Sequence, residues 1–533
     1  DLYNANGTVQ AIELLPSSPP PLYALSVFLA SSLFLGLMLL VVVVWLTLRP
    51  SFQDAGQGSE NKRWEDRSLG KLGKWEWLAL ATPPAVVWSL YLLAFWPGVM
   101  SVDSIEQWSQ LLTGNFDDWH PAFHTLTEWL LTRVVESPAA VAFAQIAALS
   151  GVVGWGLASM RRLGLSAVAA WLISGAVALW PANGITVITL WKDIPYAIGV
   201  LALGVLILGE VDGRRSRLDN RGRWILMGGV AALVGLYHHA GLFVALGSLG
   251  ALWLSIRRRA VIGAAMLVLI VVAIVQVGLY PAIGVSGRHP GIDLVPIHHI
   301  GAHLANGTEL TAQEQLEIAE LIPIPGVAWY DCESVNPFLF NPSFSIDAMH
   351  EQAGRARELS WSLLVRQPGV DLAHIACRSR VAWRITQVPG GHQYVTQLLD
   401  TGSQVSSIVA NDLGLELDPV IDPLTDPLAD VVFETQHAAT FWLLWRGPLH
   451  LYALLLGAAV AALRTRSWRY WAVVAPAVLV AGSLVVAAPA QDFRYMWPVV
   501  LSGMVLGPYL LLAVPRSAGS GQRAADSGRG KPT

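Results

Sequence analysis

The sequence predicts an all-α polytopic membrane protein, and three observations carry that prediction. Hydrophobic residues make up 54% of the 533 positions and charged ones only 14%, against roughly 45–50% and about 25% in soluble domains. Mean hydropathy is +0.49. The apolar residues also fall in runs of roughly 18 or more, the length a helix needs to cross a hydrocarbon core of about 30 Å. Only a helix satisfies its own backbone there without closing a barrel.

In chain order, residues 1–21 read as a disordered external tail, short of large apolar residues apart from Leu14 and Leu15. Candidate spans follow at 22–48, 75–95, 139–160, 165–180, 194–208, 224–237, 242–255, 261–280, 438–463, 471–488 and 496–514. That is about eleven, several of them short enough to tilt, kink or re-enter. Pro83-Pro84 predicts a kink in the second, because proline removes a helix hydrogen bond. With the N-terminus outside, every short inner loop is basic and the inner segments hold about two-thirds of the 34 Lys and Arg. The organisation expected is an added span with a basic cytoplasmic loop (22–74), a membrane core (75–280), an external domain (281–437), C-terminal spans (438–515) and a cytoplasmic tail (516–533).

Three segments then face outward: a loop at 97–138, a short turn at 183–192 and the long segment 281–437, too polar to span and too long for a plain loop. The last has proline-rich turns and predicted helices at 347–365 and 370–385, with Pro368 before the second. It holds the only two cysteines, Cys332 and Cys377. They fit a disulfide on an oxidising exterior or two buried thiols, and sequence leaves both readings open.

Chemistry concentrates in the first of these loops. The stretch PGVMSVDSIEQWSQLLTGNFDDWH (97–120) gathers Asp103, Glu106, Asp117 and Asp118 with His120, and His124 and Glu128 follow. Val102, Ile105, Trp108 and Leu111 recur at helical spacing, as do Phe123, Leu126, Leu130 and Val134. Two amphipathic helices on the outer membrane surface satisfy both patterns. Asp103 and Glu106 also read as a capping pair, the bland alternative. Lys192 and Asp193 lie at the outer mouth of a span, where ionisable groups are costly and by default functional. Lys192 there suits a phosphate as a point charge, or simply a local pair with Asp193. His238, His239, Arg446 and Arg494 fall at other outer ends. His299 and His303 are spaced to share a helix face, but no nearby Cys or acid completes a set with His298, and Pro296 argues for a turn. No metal site is predicted. There is no P-loop, GxGxxG or HExxH, so ATP-driven transport, nucleotide cofactors and zincin chemistry lack support.

Four stretches, PGVMSVDSIEQW, TGNFDDWHPAFHTL, LWKDIPY and DFRYMWP, resemble in that order motifs of bacterial membrane glycosyltransferases of the GT-C superfamily. Its relatives include protein O-mannosyltransferases and aminoarabinose transferases. The resemblance implies a GT-C-like bundle of about eleven transmembrane helices with an external, mostly helical domain. It also implies an essential acid in the first external loop, which Asp103 matches. Asp117, Asp118 and His120 match the DWHP part, Lys192 and Asp193 the KD pair, and Arg494 the last motif. Glu106 and His239 join them by position as substrate-binding candidates, although the HisHisAla at 238–240 departs from a basic-then-small pattern.

The implied partners are a polyprenyl-phosphate-linked sugar, an envelope glycan, lipid or protein acceptor, and membrane lipids, with no nucleic acid. The implied location is the cell membrane, multi-pass, with the site outside. Asp103 would act as general base in an inverting displacement, with Lys192 and Arg494 holding the departing phosphate. No cofactor is required on this reading; a divalent cation on Asp103 and Asp118 is the superfamily's variant. The alternatives are a transporter or flippase of lipid-linked sugars, which predicts repeat-related halves, and a scaffold or receptor.

Overall fold

The computed structural model describes residues 75–212, 221–286, 291–322, 324, 326–327, 329–387, 393–395, 398–400 and 405–512. The expected tails at 1–21 and 516–533, the added span at 22–48 and its basic loop lie outside the described residues. Regular structure is almost wholly helical. The described strands are β1 (Leu399–Asp400) and β2 (Val405–Ser406), antiparallel with Leu399 opposite Ser406.

Among the described residues, the first half of the chain builds ten helices. Helix α1 (Glu76–Ala94) leads to two short ones, α2 (Val102–Thr113) and α3 (Ala122–Thr132). Then come α4 (Pro138–Leu163), α5 (Ala167–Leu179), α6 (Pro181–Val187), α7 (Asp193–Val211), α8 (Arg221–Tyr237) and α9 (Gly241–Ile256). Helix α10 (Arg259–Ala282) passes through a π turn at Ile274–Leu279. Local signals set these limits. Ser137 caps α4 with Pro138 at its first turn, Ser166 caps α5, and Gly164 ends α4 in a left-handed conformation that suits glycine. Helix α1 runs unbroken through Pro83 and Pro84. The Leu80 carbonyl, which Pro84 cannot bond, accepts from the Ser174 hydroxyl of α5 at 2.7 Å.

The second half places α11 (Leu294–Ala305), α12 (Ala312–Leu321), α13 (Ala353–Arg366) and α14 (Pro368–Arg378) before the C-terminal set. That set is α15 (Thr425–Glu434), α16 (Ala438–Leu444), α17 (Pro448–Thr465), α18 (Tyr470–Ala487) and α19 (Phe493–Leu512). Among the described residues, seven helices are long and apolar enough to cross a membrane: α1, α4, α7, α10, α17, α18 and α19. The pair α5–α6, bent by 64°, makes eight if it counts as one span. Helices α8 and α9, at 17 and 16 residues, fall short of that length. The expected span at 438–463 divides in two, because the chain leaves the helix at Trp445–Gly447 and Pro448 starts α17 afresh.

Helix α1 packs along α4, and α17 along α19, while α7 touches α4, α8, α18 and α19. Close approach needs glycine at Gly154, where a Cβ would sit 2.2 Å from the Trp77 carbonyl. The arginines Arg161, Arg162, Arg223, Arg257, Arg464 and Arg469 lie at one set of helix ends, and Lys192, His238 and Arg494 at the opposite set.

Residues 294–363 form their own apolar core around Ile297, Ile300, Trp329, Phe338 and Leu359. The rest of the expected external domain divides differently. Val395, Leu398, Ile408, Ala429 and Val432 join the large apolar cluster that also holds the long helices. The reason is the open end of α1. Its terminal carbonyls lack intrahelical partners, and Leu93, Ala94 and Trp96 accept bonds from Val420, Thr425 and Asp418. Cys332 and Cys377 are joined by a disulfide, with their Cα atoms 5.8 Å apart. Pro296 sits inside α11 rather than in the expected turn.

Candidate functional site

Two backbone straps aim the first loop. Val99 N–H donates to Ile188 O at 3.0 Å and Leu190 N–H to Val99 O, while Met100 N–H donates to Ser407 O and Val409 N–H returns to Met100 O. Gly98, at φ +135, makes this turn, and a side chain there would press on Ile188 O. Ser101 then caps α2 reciprocally with Ser104. The pair expected to do so, Asp103 and Glu106, is thereby left out of the cap. Trp191 Nε1 donates to Ser101 Oγ and Ser104 Oγ to Leu190 O, each at 2.8 Å. Gln107 bonds Thr125 across α2 and α3 at 2.8 Å. Asp103, in the first turn of α2, is thus fixed against the Leu190–Asp193 segment.

Arg494, at the start of α19, meets it there. Arg494 Nη1 donates to Asp103 Oδ2 at 2.6 Å, and Nε lies 2.9 Å from Asp492 Oδ2. The guanidinium stands over Trp191 at 4.8 Å and Tyr495 at 5.3 Å from the ring centroids. His120 Nε2 is 3.8 Å from Asp103 Oδ1. Lys192 Nζ lies 3.6 Å from Asp193 Oδ2, and His238 Nε2 is 3.8 Å from Asp193 Oδ1 with its ring stacked on Tyr196. The side chain of Asp103 is 30% exposed, whereas those of Asp193, Arg494 and Lys192 are at most 13% exposed.

Electrostatics follow from this crowding. Burial opposes ionisation of Asp103, but Arg494, His120 and Lys192 outweigh it and hold the carboxyl well below the usual range. Burial and then Lys192 push His120 down to about 3, so it is a neutral imidazole at pH 7. Partial screening from water raises Glu106, with Asp117 and Asp103 adding to the effect.

The predicted residues therefore separate. Asp103, His120, Lys192, Asp193 and Arg494 form one constellation. Asp117 and Asp118 shape the loop instead: Asp117 Oδ1 accepts from Trp119 N–H, and Asp118 Oδ1 from Ala122 N–H at the start of α3. Pro121 is the N-cap of α3. Asp118 is engaged by the Ala122 N–H and Asp103 by Arg494. Among the described residues no group of three His, Cys, Asp or Glu is placed to hold a metal. Glu106 is exposed beside the constellation. His239 bonds the Trp119 carbonyl at 3.3 Å. The turn expected to face outward at 183–192 is largely buried, its first part being α6.

Arg446 belongs elsewhere. It donates to Arg384 O, Arg380 O and Gln393 Oε1, tying α14's extension to the start of α17. Sequence reading missed Asp492, Trp191 and Tyr495, although each adjoins a singled-out residue or lies two positions from it. His299 and His303, spaced four apart, both bond Asp371, an acid 68 residues beyond His303. In comparisons with family models, with curated proteins and with solved structures, nothing matches the chain.

Proposed function

We propose that this chain is a membrane glycosyltransferase, moving a sugar from a polyprenyl-phosphate donor to a hydroxyl of a cell-envelope acceptor with inversion. The observation that carries this reading is the Asp103–Arg494 contact at 2.6 Å, with His120 and Lys192 beside it. One carboxylate and two adjacent cations are the parts such a displacement needs. The acceptor O–H proton passes to Asp103 as its oxygen bonds the anomeric carbon. The C1–O bond to phosphate breaks, and Lys192 and Arg494 take up the charge of the departing polyprenyl phosphate. With its leaving group neutralised in this way, the reaction needs no general acid.

An ionised Asp103 locked on Arg494 is a weak base. The incoming phosphate competes for the guanidinium, and the carboxylate then gains basicity as that cation turns toward the donor. The reaction is thereby confined to the loaded site. An outward-facing site in the cell membrane is supported by the basic residues, which gather at the helix ends opposite the constellation.

One observation favours a second reading. The 64° break between α5 and α6 is the kind of broken helix that transporters use. Against a transporter, the site's charges cluster at one set of helix ends and not at the midplane. Incubating the purified protein with radiolabelled polyprenyl-phosphate sugars and an envelope extract as the source of acceptor hydroxyls separates the two, because a transferase releases lipid phosphate and a flippase does not. In the same assay Asp103→Asn is expected to lower transfer about 10³-fold while the protein stays folded in the membrane. Transfer by this variant at the wild-type rate would falsify the assignment.

A further inference from the structure

Buried polar atoms without hydrogen bonds lie beside Asp103 and along α3. His124 and Glu128 are four apart on one face of α3, and His120 lies in its lead-in. His120, His124 and Glu128 are 8%, 2% and 2% exposed. His120 Nε2, His124 Nδ1 and Glu128 Oε2 have no hydrogen-bond partner among the described residues, nor does Asp193 Oδ2 on α7. The charges of Lys192 and Asp193 act on both His120 and His124, so these atoms share one corner of the molecule. Buried polar atoms are seldom left unpaired, and several together call for an occupant.

The spacing suits a particular kind of occupant. His124 Nδ1 and Glu128 Oε2 are 3.8 Å apart, as are His120 Nε2 and Asp103 Oδ1. Such gaps exceed a hydrogen bond and leave no room for an atom on the line between. A hydroxyl oxygen seated to one side of either pair reaches both of its atoms at about 2.8 Å. Burial raises the Glu128 carboxyl above its ordinary range, and burial with Lys192 pushes His124 down to about 3. Burial thus favours the uncharged form of both groups, in which each offers a donor and an acceptor. That pattern matches a hydroxyl, itself donor and acceptor, better than a phosphate or an ammonium. Tyr237 adds an aromatic ring 6.3 Å from His124, centroid to centroid.

We propose that His124 and Glu128 form a sugar-hydroxyl subsite that reads the transferred sugar, with His120 linking it to Asp103. The subsite rests on the glycosyltransferase reading. The test is equilibrium binding to the detergent-solubilised full chain of undecaprenyl phosphate, bare or carrying glucose, mannose, galactose or arabinose. Wild-type protein is expected to bind at least one sugar-bearing lipid about 10-fold more tightly than the bare lipid. Glu128→Ala is expected to erase that advantage and leave bare-lipid affinity unchanged. Glu128→Gln, an amide with both donor and acceptor, should keep most of it. Bare-lipid binding also reports that each variant is folded; if Glu128→Ala loses it, His124→Ala carries the same test. Equal wild-type affinity for bare and sugar-bearing lipids, or an advantage that survives both substitutions, overturns the subsite and leaves buried water as the occupant. Failure of wild-type protein to bind even the bare lipid overturns the glycosyltransferase reading itself.

Discussion

At the scale of single residues, two arginines that look alike in sequence do different work. Arg446 spends its guanidinium on backbone carbonyls and Gln393. Arg494 meets Asp103 and Asp492 and lies over two aromatic rings. The neighbours decide, and neighbours distant in sequence could not be seen from either motif. Arg446→Ala is expected to destabilise the protein by about 2–3 kcal/mol by leaving buried carbonyls unpaired, read as a lower melting temperature with turnover per folded molecule preserved. Arg494→Lys should do the reverse. It keeps a positive charge but loses the planar fork and the stacking, so turnover is expected to fall about 10²-fold at near-normal thermal stability. Equal effects of the two substitutions on both readouts would contradict this division.

At the scale of elements, the short helices α2 and α3 were legible because their apolar residues repeat with the helical period. The straps that orient them were not legible. Val99 pairs with Ile188 and Leu190, and Met100 with Ser407 and Val409, contacts that no local pattern announces. Helix α6 escaped for a related reason. It reads as a polar turn, yet Asn183 accepts from Trp497 Nε1 at 2.9 Å and Gly184 lies against the Tyr91 ring. Ser104 joins both levels, since its hydroxyl serves the α2 cap and also bonds Leu190 O. Ser104→Ala should therefore cost about 1 kcal/mol of stability and also loosen Asp103 from the Leu190–Asp193 segment. The expected outcome is a several-fold fall in kcat that a simple cap loss does not explain. Restoring the hydroxyl with Ser104→Thr should recover much of it, as measured by initial rates at saturating donor.

At the scale of the whole molecule, the domain centred on 294–363 reaches the site through the connection between α18 and α19. Val335 N–H donates to Pro489 O, Arg378 to Val486 O at 2.7 Å, and Gln491 to Arg378 O, while Tyr394 brackets Asp492 through Gln491 O and Phe493 N–H. Arg494 emerges from that grip. Sequence showed a helical domain in this stretch but not where it docks, because docking is made by loops. The domain is also where pH should act. His298, His299 and His303 of α11 face Asp371, His374 and Arg378 of α14, with Tyr330 and the Asp331 carbonyl closing the cluster. Burial, with Arg378 and His299 adding to it against the Asp331 bond, pushes His298 down to about 3, and burial with the surrounding cations lowers His374 further. In the unfolded chain these imidazoles titrate near 6.5. Below that pH the unfolded chain takes up protons that the folded domain refuses. The stability these histidines provide is therefore complete above about pH 6.5 and drains away as pH falls toward 3. Moving from pH 7.5 to 5 should lower the melting temperature by about 5 °C or more, followed by tryptophan fluorescence of the solubilised protein. His374→Gln, which keeps a partner for Tyr330 but cannot be protonated, should flatten that dependence, and an unchanged slope would show that the acid sensitivity arises elsewhere.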